Sequence, residues 1–396
     1  MSAAVETLVE GTVEPGWEAV RSAFERNFTE NGELGAAVCV YKDGRPVVDL
    51  WGGYFDRSRE RRWERDTMVN MASVDKFLPE LGVLVLVDRG EVSLDEPVAT
   101  YWPEFAQNGK EAVTVRQMLA GQAGLLYLDA APDGSYFDLE STIDALEKIV
   151  PEWTPGERGG YQSVTARLLH AELIRHVTGR DAGEFIRTEI TGPLGIDYHY
   201  GLTDEQIART ATSFSDGEIP PAYRQANDPT TTLGRAWRIY PNIKEMIEGG
   251  NLAAGSNAEE ARRQPLPLGS GYGAPRAIAR LFATLAEGGE LDGVRIVSPQ
   301  TVDAMREEHW FGTCGQTGRP FRFGLGVFLH TTADVGDWCM PFGPNTRTFG
   351  HAGLGGQLGV ADPENRIGFA YGTNLFCKEN GLGPRCHRLL EAVRWE

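Results

Sequence analysis

MASVDKF, residues 71–77, places a serine and a lysine three positions apart at the start of an apolar run that predicts a helix. Side chains three apart lie on one face of a helix, so the Lys76 amine can reach the Ser73 hydroxyl. The helix dipole favours a developing negative charge at this end, and a lysine whose pKa is lowered by burial can act as a base. The stretch predicts a nucleophile with its base, although two polar residues at a helix start would give the same pattern.

Two further stretches carry polar groups that a loop would hold at a cleft. Tyr161 and Ser163 follow the rigid loop WTPGERGG and directly precede an amphipathic pattern over 164–178, which predicts a helix. His351 lies in FGHAGLGG, where the small side chains let a substrate carbonyl approach the backbone and receive an N–H bond. A structural tyrosine that caps a helix and a glycine-rich bend in an edge strand are the alternative interpretations.

The charge balance argues against two classes of partner. The 396 residues include 56 Asp and Glu against 38 Lys and Arg, a formal net charge of -18. Such a charge repels phosphate backbones and anionic bilayers, so we expect no nucleic acid and no membrane partner. The first residues have neither the basic region nor the apolar run of a secretory signal, which predicts a cytoplasmic protein.

The spacing of the cysteines and histidines indicates neither a disulfide framework nor a metal site. The five cysteines are scattered without C-x-x-C, and the seven histidines form no H-E-x-x-H or H-x-H pair. We therefore expect free thiols and neither a metal nor a cofactor. The sequence leaves the oligomeric state open.

The pattern of elements changes twice along the chain. A helix predicted over 16–28 is followed by two β-rich runs around Lys42-Asp43-Gly44, a strong hairpin signal. From residue 73 the patterns predict helices and irregular loops. After about residue 310 glycine-spaced strands return, with a hairpin turn at 362–365 and a final helix.

These elements predict an α/β fold of the α+β type. One antiparallel sheet is built from both termini and flanked by helices, and a mainly helical region is inserted into it. We expect two domains, 1–72 with 275–396 and 73–274, with the active site in the cleft between them. An α/β-hydrolase is excluded, because the chain contains no G-x-S-x-G and lacks the β-α-β alternation of that fold.

The order S-x-x-K, Y-x-S and H-x-G, with a hairpin before and helices between, resembles the serine β-lactamase and penicillin-binding-protein superfamily. Within it the chain is similar to the class C-like esterases, also called family VIII carboxylesterases. The resemblance runs from about Trp17 to Trp395 and includes the segments GRPVVDLWGGY, VDRGEVSLDEPVATYWPEF and GHAGLGGQLGVADPENRIGFAYGTN. It implies the β-lactamase/DD-peptidase-like fold.

The resemblance also implies a role for each motif residue. Ser73 would be the acylated nucleophile, and Lys76 and Tyr161 would be the coupled base that removes and returns its proton. Ser163 would be a hydrogen-bond partner lining the cleft. The oxyanion would lie between the backbone N–H groups of Ser73 and Leu354, the residue after H-x-G.

The H-x-G strand helps to choose a reaction within the superfamily. His351 and Gly353 would contact substrate there, and His351 stands where enzymes acting on β-lactams or peptide stems usually carry lysine. A histidine is mostly neutral at pH 7, which favours uncharged acyl substrates. We therefore expect hydrolysis of a small-molecule acyl ester or amide, ranked above β-lactam or D-Ala-D-Ala chemistry. The alternative is an acyltransferase that passes the same acyl group to an alcohol or amine in a biosynthetic pathway.

Three positions depart from the family pattern. Asp75 places a carboxylate beside the proposed base, Pro79 removes an amide donor early in the helix, and Ala120 stands where relatives show a polar loop residue. A carboxylate that keeps Lys76 protonated would fit a binding protein without catalysis. Aromatic residues in the inserted region and beyond could crowd the cleft and favour acyl transfer, or could be ordinary loop packing: Tyr127, Tyr136, Phe137, Trp237, Tyr240 and Trp310.

Overall fold

The computed structural model of the chain describes residues 8–265, 271–332, 340–379 and 381–396. The longer strands lie near the two ends of the chain. In chain order the strands are β1 (Val9–Val13), β2 (Gly35–Lys42), β3 (Arg45–Gly53), β4 (Val69–Asn70), β5 (Tyr198–His199), β6 (Phe214–Ser215), β7 (Tyr272–Gly273), β8 (Glu290–Leu291), β9 (Val294–Arg295), β10 (Trp310–Thr313), β11 (Pro320–Phe323), β12 (Phe328–Leu329), β13 (Phe349–Gly353), β14 (Gln357–Asp362), β15 (Ile367–Thr373) and β16 (Leu375–Phe376).

Helices fill most of the region between β3 and β10. The α-helices are α1 (Glu18–Glu30), α2 (Phe77–Asp88), α3 (Val115–Leu119), α4 (Leu139–Lys148), α5 (Thr165–Thr178), α6 (Ala182–Ile186), α7 (Asp204–Ala208), α8 (Thr232–Trp237), α9 (Ile243–Glu248), α10 (Ala254–Asn257), α11 (Glu259–Arg263), α12 (Pro275–Ala286), α13 (Pro299–Met305) and α14 (Gly383–Ala392). Short 3-10 turns cover Ala72–Lys76, Val98–Thr100, Pro103–Phe105 and Pro221–Tyr223, and a π turn covers Arg187–Thr191. Among the described residues, none of these helices has the length and apolar character needed to span a membrane.

Both ends of the chain meet in one antiparallel sheet. Within the described residues its nine strands follow the order β1-β3-β2-β15-β14-β13-β12-β11-β10. Strand β15 pairs with β2 from Ile367 opposite Lys42 to Thr373 opposite Ala36, so residues about 330 positions apart lie side by side in its centre. The architecture confirms the predicted fold class.

The two faces of the sheet are covered by different helices, as the sequence of β2 requires. Ala37, Cys39 and Tyr41 join the core that contains α12, whereas Val38 and Val40 join the core that contains α1 and α14. Successive side chains of a strand point to opposite faces, so a strand buried on both sides is apolar throughout. The predicted hairpin is confirmed between β2 and β3.

Helix α12 packs so closely on the sheet that its backbone approaches that of β15. A Cβ atom on Gly368 of β15 would lie 2.4 Å from the Ala283 backbone nitrogen and 2.7 Å from the Ala283 Cβ. Glycine at this position therefore lets the helix and the sheet approach more closely than any other residue would. This contact fixes α12 against the centre of the sheet.

The helical region leaves the sheet and returns to it at adjacent points. Strand β4, just before the predicted nucleophile, pairs antiparallel with β7, just before α12. Helices α2 and α5 pack against each other within the inserted region. We propose on this basis that the domain boundaries lie near residues 72 and 275, as the sequence predicts.

We expect Gly368→Val to lower the free energy of unfolding by about 2 to 3 kcal/mol, because its side chain would overlap the backbone of α12. Chemical unfolding followed by circular dichroism measures the change. Gly312→Val in the edge strand β10 is the matched control, since a Cβ there meets nothing within 4 Å and should cost less than about 0.5 kcal/mol. Equal unfolding midpoints for both variants would contradict this account of the contact.

Candidate active site

Ser73 lies in the 3-10 turn Ala72–Lys76, directly before α2, whereas the sequence predicts the start of an α-helix at this point. Ala72 before it has a left-handed φ of 47°, a conformation that residues other than glycine rarely adopt. The Ala72 N–H donates to Asn70 Oδ1 at 3.0 Å, which holds the turn in place. The turn puts Ser73, half-buried, on the wall of a cavity.

Lys76 is bonded to Ser73, as its spacing predicts. Its Nζ donates to Ser73 Oγ at 2.6 Å, and the side chain is buried. Burial lowers the pKa of the Lys76 amine well below its usual range, and the nearby Arg167 guanidinium lowers it further. Both effects favour the neutral amine, which is the form that can accept a proton from a hydroxyl.

Asp75 is turned toward the core of the helical region. Its Oδ1 accepts from Arg167 Nη2 at 2.5 Å, and its Oδ2 accepts from the Gly271 N–H at 2.6 Å. Burial raises the pKa of the Asp75 carboxyl, and the Arg167 guanidinium opposes that shift. The Asp75 carboxylate is therefore paired with Arg167 of α5 and not with the proposed base Lys76.

The second departure, Pro79, is accommodated by a side chain from elsewhere in the chain. Proline has no N–H to give to the carbonyl four residues earlier, which is that of Asp75. The Tyr200 hydroxyl donates to this carbonyl instead, at 2.9 Å. Helix α2 runs from Phe77 to Asp88 with Pro79 in its first turn, where a missing donor costs little.

Tyr161 approaches the nucleophile from the opposite wall. The Lys76 Nζ lies 5.5 Å from the centre of its ring, and Tyr161 lines the same cavity as Ser73. Burial raises the pKa of the Tyr161 phenol, and the Ser73 side chain opposes that shift. The same burial thus favours a neutral phenol beside a neutral amine.

The loop around Ala120 supports Tyr161 from behind. The Gly160 N–H donates to the Gly121 carbonyl at 2.9 Å, and the Trp310 indole N–H donates to the Ala120 carbonyl at 2.6 Å. Ala120 is fully buried and does not line the cavity. The third departure therefore changes the packing behind Tyr161 rather than the cavity wall.

Strand β13 ends against the turn that carries Ser73. A Cβ on Gly353 would lie 2.7 Å from the Met71 carbonyl oxygen and 3.3 Å from the Ala72 Cβ, so only glycine permits this approach. Leu354, the next residue, lines the cavity together with Ser73. Among the described residues, no acceptor takes the backbone N–H of Ser73 or of Leu354. Both N–H groups are therefore without a protein acceptor, as the predicted oxyanion role requires.

His351 is placed differently from the expectation of a substrate contact. Its ring is fully buried 6.1 Å from the Tyr161 ring and 4.9 Å from the Phe328 ring, and it does not line the cavity. Its Nδ1–H donates to the Ala352 carbonyl at 2.9 Å. Burial, aided by the Lys76 amine, lowers the pKa of His351 to about 3. The histidine packs behind Tyr161 as a neutral ring.

The cavity between the end of β13 and the helical region has a volume of about 560 Å³. Four of the six aromatic residues predicted for its wall line it, whereas Tyr127 and Trp310 do not. Ser163 lines it as predicted. Its aromatic lining residues are Tyr136, Phe137, Tyr161, Tyr223, Trp237, Tyr240, Phe321, Phe328 and Phe376.

Sequence reasoning missed Arg167 and Gln316, both of which line the cavity. The sequence pattern could have identified Arg167, because it lies three residues after Val164 on the apolar face of α5, where an unpaired charge would be costly. No such pattern marks Gln316, because the turn that carries it meets residue 163 only through the fold.

No group of three or more His, Cys, Asp or Glu side chains in the described parts of the chain is arranged to hold a metal ion. Of the five cysteines, Cys39, Cys314, Cys377 and Cys386 are buried free thiols, and Cys339 lies outside the described residues.

Known proteins resemble the chain over nearly its full length. The beta-lactamase family model matches residues 12–387. The esterase/beta-lactamase LipL of Mycobacterium tuberculosis is 31% identical over 363 residues, which are 91% of this chain and 81% of that protein. A solved penicillin-binding protein homologue from Caulobacter crescentus is 33% identical, with a TM-score of 0.84 over 97% of this chain and 98% of that one. A family VIII carboxylesterase structure is 31% identical, with a TM-score of 0.84 and the same coverage. The resemblance in the sequence is confirmed, and the chain belongs to the beta-lactamase family.

Proposed function

We propose that this protein is a serine ester hydrolase that cleaves a small-molecule carboxylic ester through an acyl-enzyme on Ser73. The observation that carries the proposal is the 2.6 Å hydrogen bond between Ser73 Oγ and a buried Lys76 whose pKa is lowered. Relatives of 31% identity that include a carboxylesterase and an esterase/beta-lactamase support it. A serine activated by a neutral amine forms an ester bond with an acyl group.

In the proposed reaction Ser73 Oγ attacks the ester carbonyl carbon, and its proton passes to the neutral Lys76 Nζ. Tyr161, which lines the same cavity, gives its own proton to the oxygen of the departing alcohol and takes the proton held by Lys76 in exchange. Water then attacks the acyl carbonyl carbon and loses a proton to the neutral Lys76 Nζ. The amine returns this proton to Ser73 Oγ as the bond between the acyl carbon and Oγ breaks and the acid leaves. Tyr161 acts in this scheme as a proton carrier and not as a resting phenolate, because burial raises its pKa.

The free N–H groups of Ser73 and Leu354 would receive the negative charge on the carbonyl oxygen. One comes from the turn before α2 and the other from the end of β13, so their separation depends on the approach that Gly353 allows. Preformed donors of this kind stabilise the transition state without reorganisation.

His351 favours esters over substrates that carry a carboxylate. With its pKa lowered to about 3, it is neutral throughout the physiological range and brings no positive charge to β13. An uncharged acyl group is the substrate that such a strand tolerates best.

Acyl transfer is the second candidate, favoured by the aromatic cavity wall. The rings that line the cavity would hold an apolar alcohol next to the acyl-enzyme and reduce the access of water. Hydrolysis and transfer share every step up to the acyl-enzyme. Product analysis with and without an added aromatic alcohol separates them.

We expect one fluorophosphonate adduct on the native protein and none on Ser73→Ala, measured by intact mass, because Ser73 is bonded to a buried amine that can activate its hydroxyl. Esterase activity of the variant should fall at least about a thousandfold. Ser163→Ala, which removes another hydroxyl from the same cavity, should keep the adduct. An adduct that persists on folded Ser73→Ala would show that another residue is the nucleophile.

Arg167→Met should move the acid limb of the pH profile of kcat/KM upward by about one pH unit. The neutral amine is the active form, so activity rises as pH increases through the pKa of Lys76. Loss of the guanidinium removes a charge that lowers this pKa and leaves the Asp75 carboxylate, which raises it. The double variant Asp75→Leu/Arg167→Met is the control, and its limb should lie closer to that of the native protein. An unchanged limb in the single variant would mean that Lys76 is not the titrating base.

Gly353→Ala should lower kcat for 4-nitrophenyl butanoate about a hundredfold, the effect of losing one oxyanion donor. Its methyl group would meet the Met71 carbonyl oxygen at 2.7 Å and push Leu354 away from Ser73. Gly312→Ala in β10, with open space around its Cβ, should leave kcat unchanged. A folded Gly353→Ala variant with native kcat would remove Leu354 from the oxyanion site.

A further inference from the structure

Three polar groups on one side of the cavity lack a hydrogen-bond partner in the described part of the chain. They are Ser163 Oγ, Gln316 Nε2 and Thr317 Oγ1, and each is buried from solvent. All three residues line the cavity that contains Ser73. Buried polar groups in native proteins are almost always paired, so a cluster of unpaired ones in a cavity indicates a place for a polar ligand atom.

The orientation of the Gln316 carboxamide is set by its other contacts. Its Oε1 accepts the Ser163 N–H at 3.3 Å, so the nitrogen cannot occupy that side. Its backbone carbonyl accepts the Thr232 hydroxyl at 2.9 Å, and only 2% of the residue is exposed. The unpaired Nε2 is therefore a fixed donor rather than a mobile surface amide.

The turn that carries Gln316 is bound to the loop that carries Tyr161. The Gly315 N–H donates to the Gly159 carbonyl at 3.0 Å, and the Tyr161 N–H donates to Cys314 Sγ at 3.1 Å. Together with the bond between Ser163 and Gln316, three residues of the loop (159, 161 and 163) are each bonded to one residue of the turn at 314–316. These three hydrogen bonds therefore fix the position of Gln316 relative to Tyr161.

We propose that Gln316, together with Ser163 and Thr317, forms a polar subsite for a hydrogen-bond acceptor on the substrate other than the scissile ester, such as an ether, keto or amide oxygen. The proposal rests on the ester hydrolase function proposed above and names its substrate class: esters with a second acceptor oxygen. The carboxamide contributes two N–H donors, and the two hydroxyls can donate as well. The aromatic residues that line the cavity would contact the apolar part of such an ester.

The test compares esters that differ only by an oxygen in place of a methylene group. 4-Nitrophenyl methoxyacetate is paired with 4-nitrophenyl butanoate, and 2-methoxyethyl butanoate is paired with butyl butanoate. For each pair, kcat/KM of the ester with the additional oxygen is divided by kcat/KM of its partner with the methylene group. This ratio is measured in the native protein and in two variants. The intrinsic reactivity of each ester cancels when the ratios are compared between proteins.

Gln316→Glu keeps an acceptor for the Ser163 N–H but removes the donors, and Gln316→Met removes both. We expect the ratio for at least one pair to fall about tenfold in both variants, as for the loss of one buried hydrogen bond. A merely structural role would slow both esters of a pair equally and leave the ratio unchanged. Gln162→Glu, a buried residue of the same loop that does not line the cavity, should keep the native ratio.

Unchanged ratios for both pairs in the Gln316 variants would overturn the subsite, even if both esters are hydrolysed well. A native protein that hydrolyses none of the four esters and forms no fluorophosphonate adduct would instead overturn the proposed function. The two failures are therefore distinguishable.

Discussion

The buried hydrogen bond between Lys76 and Ser73 is the interaction on which the rest of the site depends. A lysine in water is protonated at neutral pH and cannot accept a proton from a serine, so the fold must disfavour its charge. It does so by burying the amine and by placing the Arg167 guanidinium nearby. The Asp75 carboxylate, which alone would stabilise the charged amine, is engaged by that guanidinium and by a backbone N–H.

The remaining contacts keep this pair at a fixed distance from its partners. Packing of α12 on Gly368 of β15 holds this helix against the sheet, and the end of β13 reaches the Ser73 turn because residue 353 has no side chain. Tyr161 is held between the Ala120 loop behind it and the turn at 314–316 beside it. Each support arises from a different part of the chain.

The sequence was sufficient for features with a local pattern. The spacing of three residues predicted the pairing of Ser73 with Lys76, and Asp43-Gly44 predicted the β2–β3 hairpin. The order of elements predicted the fold class. Features that depend on distant pairing were not accessible: the direction of Asp75 depends on Arg167, and the role of Gln316 depends on a turn that meets residue 163 only after folding. His351 was placed on the correct strand, but the burial of its ring behind Tyr161 depends on strand packing that no local pattern describes.

The pairing of β4 with β7 has a mechanical consequence. Ser73 follows β4 of this pair closely, whereas Leu354 directly follows β13 of the large sheet, so the two proposed oxyanion donors come from different sheets. Any hinge rotation of the helical region would change the gap between those donors before it changed the bond between Ser73 and Lys76, since both of these residues move together. The rate of the proposed reaction would then depend on the stiffness of this short strand pair as well as on the groups that contact the substrate.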